Sequence, residues 1–269
     1  MSWFTITELG AGTYQISEPF VFLELRYGIS TANMYLVVGK ERAALIDGGL
    51  GIGDVRAAIA RITDLPCMVL NTHFHWDHIG ANADFSQRAI HHSEGELVAR
   101  DPDLRRWREV ASKSKVRSLL PSSFDPVTYQ IAARPPTRLL HDGNAVDLGG
   151  RALRVLHVPG HSPGHVSYLD EAHGLLFTGD CAMRGPVFAC FEGGDPEALV
   201  SSAERLAGLA AVTTVCPGHN AVIAETGWLD RFAACAAMAV QGEAPAVPRD
   251  EFFVGREVDF GEFSIWLPQ

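Results

Sequence analysis

Apolar runs of four to seven residues recur along the chain, and most close on Gly, Pro or Asp, which predicts strands. The clearest are residues 33–38, 43–47, 67–70, 152–158, 166–169, 175–178 and 213–216. Trp3 to Ile6 and Thr13 to Ile16 make a weaker pair around the Gly10-Ala11-Gly12 turn. Gly39-Lys40-Glu41-Arg42 reads as a hairpin connection, and Phe20-Val21-Phe22-Leu23 as either a strand or a loop with exposed aromatics. Helical spacing of Val55, Ala58, Ile59 and Ile62 predicts a helix over 53–62, between two strands, so this stretch is a crossover unit. Ala89-Ile90-His91-His92 reads as a strand end, and Ser93-x-x-Glu96 as a capping box that opens a helix. Residues 195–207 form a helix with Asp195 as its cap and Pro196 in first position, and residues 226–240 form another. The tail from Arg256 to Leu267 alternates as a terminal strand or a hairpin with an aromatic face.

Residues 100–137 break this rhythm. Arg100, Arg105, Arg106, Arg108, Lys113, Lys115 and Arg117 supply seven of the 22 basic residues, while Leu104, Trp107, Val110 and Ala111 form an apolar stripe at helical spacing. Four prolines follow, at 121, 126, 135 and 136. The stretch reads as a helical, basic insertion: a lid, an oligomer contact, or a solvated helix with a basic face. As a lid it would favour an anionic substrate.

The chain has 269 residues, 47% of them hydrophobic, with mean hydropathy near zero, which suffices for a sizeable core. The reading is one domain over residues 1–269 carrying that insertion. No apolar run reaches membrane-spanning length, and the first residues lack the pattern of a secretory signal, so the expected location is cytoplasmic. A net charge of −10 argues against nucleic acid as a partner. Cys67, Cys181, Cys190, Cys216 and Cys235 are odd in number and in no C-x-x-C spacing, which excludes a disulfide framework and suits a reducing compartment.

The chemistry concentrates in Asn71-Thr72-His73-Phe74-His75-Trp76-Asp77-His78-Ile79-Gly80. A buried strand runs straight into three histidines and an aspartate, with a short helix starting near Asp77. Neutral imidazoles and carboxylates are the ligands of zinc and related divalent ions. The same device, a strand end followed by a Gly or Pro turn that presents a His or Asp, recurs at His161, Asp180 and His219. That makes seven candidate ligands, enough for two ions if Asp180 bridges them. Asp47, closing the strand before the crossover, is either an ordinary turn aspartate or a group behind the site that holds a ligand histidine. His91 and His92 read as structural or partly exposed, and His141, His157 and His173 as structural.

Taken together, these motifs resemble the metallo-β-lactamase superfamily. His73-x-His75-x-Asp77-His78 matches its H-x-H-x-D-H motif; Leu45-Ile46-Asp47-Gly48-Gly49, Gly160-His161, Gly179-Asp180 and Gly218-His219 match its other motifs, in the family's order, over roughly residues 30–225. The resemblance implies a four-layer αββα sandwich of two mixed β-sheets flanked by helices. It implies that His73, His75 and His161 hold one metal, that Asp77, His78 and His219 hold a second, and that Asp180 bridges them. Asp47 and His165 would support the ligands. The implied cofactor is a pair of divalent ions, zinc by default, with iron and manganese able to take the same donors.

The implied reaction is hydrolysis of an ester-like bond (lactone, thioester or small ester) by a bridging hydroxide, with Asp77 or Asp180 moving the proton. Phe74, Trp76, Phe188 and Phe191 are candidate pocket walls, and Arg105, Arg106 and Arg108 a candidate clamp for the phosphates of coenzyme A. The family's lactonases often carry a Tyr three residues after the bridging Asp, where it contacts substrate; here that position is Met183, a candidate substrate contact whose type points away from lactones. Its best-known β-lactamases use a Cys in place of Asp180. Two other classes stand beside the hydrolase: an iron-dependent sulfur dioxygenase, which would lack Asp77, His78 or His219 from the metal set, and a low-turnover binding or regulatory protein on the same fold. The expected partner is a small-molecule substrate, with no membrane; the aromatic C-terminal stretch would suit a homodimer contact.

Overall fold

The computed structural model describes residues 2–22 and 27–269, in two compact units. The first comprises Met1–Ile90, Glu94–Leu139 and Leu148–Gly150. Its seven-stranded sheet follows chain order: β1 (Thr5–Gly10), β2 (Thr13–Pro19), β3 (Thr31–Val38), β4 (Ala43–Ile46), β5 (Cys67–Leu70), β6 (Arg88–His91) and β7 (Arg138–Leu140). The strands β1 to β4 pair antiparallel in succession; β4, β5 and β6 pair parallel. The β4–β5 step needs a crossover, and α1 (Val55–Ala60) supplies it. Asp54 caps α1 by accepting from the Ala57 N–H at 2.8 Å. Val55 and Ile59 from the helix pack with Ile16, Met34, Leu36, Leu45 and Val69 to form the core of this unit.

Two local expectations fail here. Residues 93–96 do not open a helix; His92–Glu94 is a single 3-10 turn. Glu94 is buried and Gly95 follows it, while Glu96, the intended capping partner, is fully exposed. Residues Val21 and Phe22 form a turn rather than a strand, and Phe20 and Phe22 are buried, not exposed; Leu23 lies outside the described residues.

The basic stretch folds as α2 (Arg105–Ser112) and α3 (Ser114–Arg117), separated by Lys113 in an extended conformation. Its apolar stripe is turned inward. Leu104, Val110 and Ala111 are buried, and Trp107 packs on Trp76 at 4.6 Å and on Phe22 at 5.8 Å between ring centroids. Tyr129 stacks on Phe22 and donates its hydroxyl to the Leu50 carbonyl.

The second unit comprises His91–Ser93, Leu140–Asp147 and Arg151–Gln269. One sheet holds β8 (Ala145–Asp147), β9 (Ala152–His157), β10 (Val166–Asp170), β11 (Leu175–Gly179) and β13 (Thr214–Pro217), in the order β13-β11-β10-β9-β8. A second holds β12 (Gly185–Phe188), β14 (Ala246–Asp250), β15 (Val254–Asp259) and β16 (Phe263–Leu267), in the order β12-β16-β15-β14. Helices α4 (Pro196–Ala207) and α5 (Trp228–Gln241) bring Leu199, Trp228 and Phe232 into a core with Leu156, Leu169, Leu176 and Ile265. The C-terminal aromatics Phe263 and Trp266 are buried within this unit, against Phe232 and Phe188. A buried Arg151–Asp170 ion pair, joined by His173 at 3.0 Å, anchors the β10–β11 turn, so His173 is structural. Among the described residues no helix is long and apolar enough to cross a membrane.

Candidate metal centre

In the first unit β5 ends at Leu70, and the chain turns through Asn71 and Thr72 into the donors. His75 is extended, and Trp76–His78 forms one 3-10 turn. This short turn brings the His78 ring 4.2 Å from that of His73, and the His75 ring lies 4.6 Å from it. The His73 Nε2 and His75 Nδ1 atoms lie 3.0 Å apart; His78 Nε2 lies 3.9 Å from an Asp77 oxygen.

Asp47 organises the donors from behind. One of its oxygens accepts from the Thr72 N–H at 2.7 Å; the other accepts from the Thr72 hydroxyl at 2.8 Å and faces His78 Nδ1 at 2.9 Å. With its proton committed to Asp47, the Thr72 oxygen accepts from His73 Nδ1 at 3.0 Å. One carboxylate therefore fixes the tautomers of His73 and His78 and leaves both Nε2 atoms as lone-pair donors. Asp47 does this with φ of 62°, a left-handed backbone rare outside glycine, which is local strain held in place by these bonds.

The rest of the support is equally local. Asn71 and Asn82 exchange side-chain hydrogen bonds, and Asn71 also donates to the His78 carbonyl at 2.9 Å. Gly80 lets the loop press against the 48–51 turn: a Cβ there would sit 2.1 Å from the Gly51 nitrogen. Glu18 closes the back of that turn, accepting from Leu50 N–H and Trp3 Nε1, each at 2.6 Å. Burial pushes its carboxyl up to about 7, against the pull of these two donors.

In the second unit the donors come from three strand ends. Asp180 follows β11, His219 follows β13, and His161 follows β9 through Pro159 and Gly160. One Asp180 oxygen lies 3.7 Å from His161 Nε2 and 3.4 Å from His219 Nε2. His161 donates its Nδ1–H to the Phe188 carbonyl at 2.7 Å, which frees Nε2 as a donor. His165 accepts from the Asp180 N–H at 3.1 Å, so it positions the aspartate through its backbone. Gly160 has φ of 137°, and a Cβ there would strike Leu199 at 2.5 Å.

These distances test whether the residues fit a metal. Two ligands each about 2.1 Å from a tetrahedral ion stand roughly 3.4 Å apart, close to the Asp180 separations and too long for good hydrogen bonds. Three donor groups, His73/His75/His161, His73/His78/Asp180 and Asp77/His78/His219, have ligand atoms within 4.8 Å of one another. His73, His78, His161 and His219 are each at most 1% exposed, an arrangement that imidazoles adopt when paired or bound to metal. The residues present fit one or two divalent ions.

The side chains expected around the site fall into two groups. Phe74 is half-buried with its ring 4.8 Å from that of His75, and Trp76 is half-buried against Trp107. Phe188 is buried, stacked on Phe191 at 4.7 Å. Met183, by contrast, is 1% exposed and packed in the core of the second unit. The arginines divide too: Arg105 is exposed and paired with Asp103, Arg106 is exposed, and Arg108 is committed to the Tyr129 carbonyl at 2.6 Å. The cysteines are all unpaired with one another, and burial pushes the Cys181 thiol up to about 12, so it is no nucleophile. Thr72, Asn71 and Asn82 hold the donors without being signalled as functional by residue type. Only their place beside a ligand motif could have marked them.

Comparison with known proteins agrees with this geometry. Residues 27–219 match the family model described as the metallo-beta-lactamase superfamily. The acyl-coenzyme A thioesterase MBLAC2 of Bos taurus is 31% identical over 81% of this chain and 82% of its own length. The hydroxyacylglutathione hydrolase of Xanthomonas axonopodis pv. citri (strain 306) is 31% identical over 72% of this chain and 62% of its own. The crystal structure of a metallo-beta-lactamase family protein from Thermus thermophilus superposes with a TM-score of 0.62 at 26% identity, covering 87% of this chain and 82% of that one. The mixed sheets and their flanking helices are those of the αββα fold, and the chain belongs to the metallo-beta-lactamase superfamily.

Proposed function

We propose that this chain is a dinuclear metal-dependent thioesterase whose substrates are acyl-coenzyme A-like thioesters. Family membership and the His/Asp clusters support a metal-dependent hydrolase of ester-like bonds. The observation that carries the reading is the set of buried donors whose other ring nitrogens are engaged: His73 by Thr72, His78 by Asp47 and His161 by the Phe188 carbonyl. The thioester class is supported by the names of the two relatives, one acting on acyl-coenzyme A and one on hydroxyacylglutathione. It is also supported by the residue type at position 183, a Met where the family's lactonases often carry a Tyr.

His73, His75 and His161 would hold one ion, and Asp77, His78 and His219 the other, with Asp180 between. Divalent ions bound there would lower the pKa of a water and polarise the acyl carbonyl. The protein's own part is to fix the donors and move protons. Asp77 is the more open of the two carboxylates and is the candidate to carry a proton toward the departing thiol. A thiolate leaves with little assistance, so loss of that proton relay would matter less for thioesters than for oxygen esters. Phe74 and Trp76, beside the donors, would line the acyl group. Exposed Arg105 and Arg106 offer charge to the phosphates, whereas Arg108 belongs to the scaffold.

The test is acid release from matched acyl-coenzyme A and acyl-homoserine lactone panels by zinc-reconstituted protein, with His73→Ala as control. Turnover confined to thioesters is the expected outcome. Turnover confined to lactones would replace this reading with a lactonase.

A further inference from the structure

Four histidines outside the donor motifs meet in the second unit. His91 ends β6, His92 follows it, His141 lies just after β7, and His157 ends β9. The rings of His91 and His157 stack at 4.1 Å with 11° between planes; those of His92 and His141 stack at 4.5 Å with 25°. His91 links the pairs, its ring 4.4 Å from His92 and 6.4 Å from His141. Asp142 stands beside them, accepting from the His157 N–H at 2.8 Å and paired with Arg205 at 2.9 Å.

Apolar packing alone does not account for this cluster. His91 is 2% exposed, and its buried Nδ1 has no hydrogen-bond partner. A buried orphan nitrogen is costly and calls for an occupant. His157 is already set as a ligand would be: its Nε2–H donates to the Pro163 carbonyl at 3.0 Å, leaving Nδ1 with a lone pair. His92 and His141 are exposed and able to turn. The stacked planes must open for the nitrogens to converge, and the exposed rings are the ones that would swing.

We propose that His91, His92, His141 and His157 form a second transition-metal site, separate from the motif centre, that takes a borderline divalent cation such as Zn2+, Ni2+ or Cu2+. All four donors are imidazole, which suits these ions and disfavours Mg2+ and Ca2+. A bound ion would tie together segments 91–92, 141 and 157, which are distant in sequence.

The test is calorimetric titration of Zn2+ into protein already loaded at the motif centre, comparing wild type with the double variant His92→Ala/His141→Ala. Both side chains are exposed, so the variant should fold, and thermal melting without added metal checks this. The expected result is one further equivalent of zinc in wild type, lost in the double variant with turnover unchanged, and a zinc-dependent rise in Tm confined to wild type. His157→Ala should weaken the same event by at least tenfold. Equal stoichiometry in wild type and double variant would overturn the proposal, as would a wild-type protein that takes up no zinc beyond the motif centre.

Discussion

Two sets of histidines in this chain are held in opposite ways. The donor histidines His73, His78 and His161 each give one ring nitrogen to a fixed partner and present the other. In the 91/92/141/157 set the rings lie against each other, and only His157 has a committed partner of this kind. The first set is organised before any ion arrives; the second must rearrange. Preorganisation, not the number of imidazoles, separates a catalytic centre from an adaptable binding site.

The sharpest way to break the comparison is to remove a donor. His73→Ala or Asp180→Ala should lower kcat/KM for a thioester by on the order of 10³-fold or more, because several kcal/mol of transition-state stabilisation goes with the ion. Steady-state kinetics with metal content measured in parallel would check this. A smaller effect should follow when a donor stays but its holder goes. Asp47→Asn cannot accept from both Thr72 and His78 as a carboxylate does, and metal affinity should fall about 10–100-fold, read by competition with a chromogenic chelator. Thr72→Val should do the same more weakly, through His73 alone.

Next comes the scaffold behind the donors. The Glu18 carboxyl is raised from its ordinary value of 4.5 to about 7 in the folded protein. A carboxyl with a raised folded pKa favours folding fully below about 4.5 and loses that contribution as pH climbs toward 7. Stability should therefore decline across that window, by on the order of 3 kcal/mol from this group, and Glu18→Gln should flatten the decline in urea midpoints measured from pH 4.5 to 7.5. The smallest effect is expected at the surface. Arg105→Gln/Arg106→Gln should raise KM for acyl-coenzyme A by a fewfold at low salt, with kcat unchanged. Arg108→Gln should instead cost stability by about 1–2 kcal/mol, since it removes a charged donor from the Tyr129 carbonyl.

The donor ends of the fold were legible because each couples a buried strand to a Gly or Pro turn and a ligand residue. Strands β3, β4, β5, β9, β10, β11 and β13 fall where the apolar runs put them, and α4 begins at the Asp195–Pro196 cap. The strands that escaped, β7, β8, β12 and β14, are short or carry polar and proline residues; β8 and β14 are defined by pairing with the strand that follows each, and β12 by pairing with distant β16. Phe188 shows the consequence. It ends β12, which pairs parallel with β16 and packs it beside Trp266, a placement that no local pattern announces. Residues 93–96 had capping chemistry, yet tertiary burial of Glu94 decided the conformation. The alliance of Asp47 with Thr72 spans 25 residues and was open to no local pattern, and the stacking of His91 on His157 joins residues far apart in sequence.

The most direct test of the central claim is single-turnover acid release from an acyl-coenzyme A, with apoprotein titrated by zinc from zero to three equivalents. The account predicts no turnover in apoprotein, activity that rises to a plateau at two equivalents, and no comparable turnover of an acyl-homoserine lactone. Activity saturating at one equivalent would contradict the dinuclear centre, and metal-independent release or a preference for lactones would contradict the proposed thioesterase.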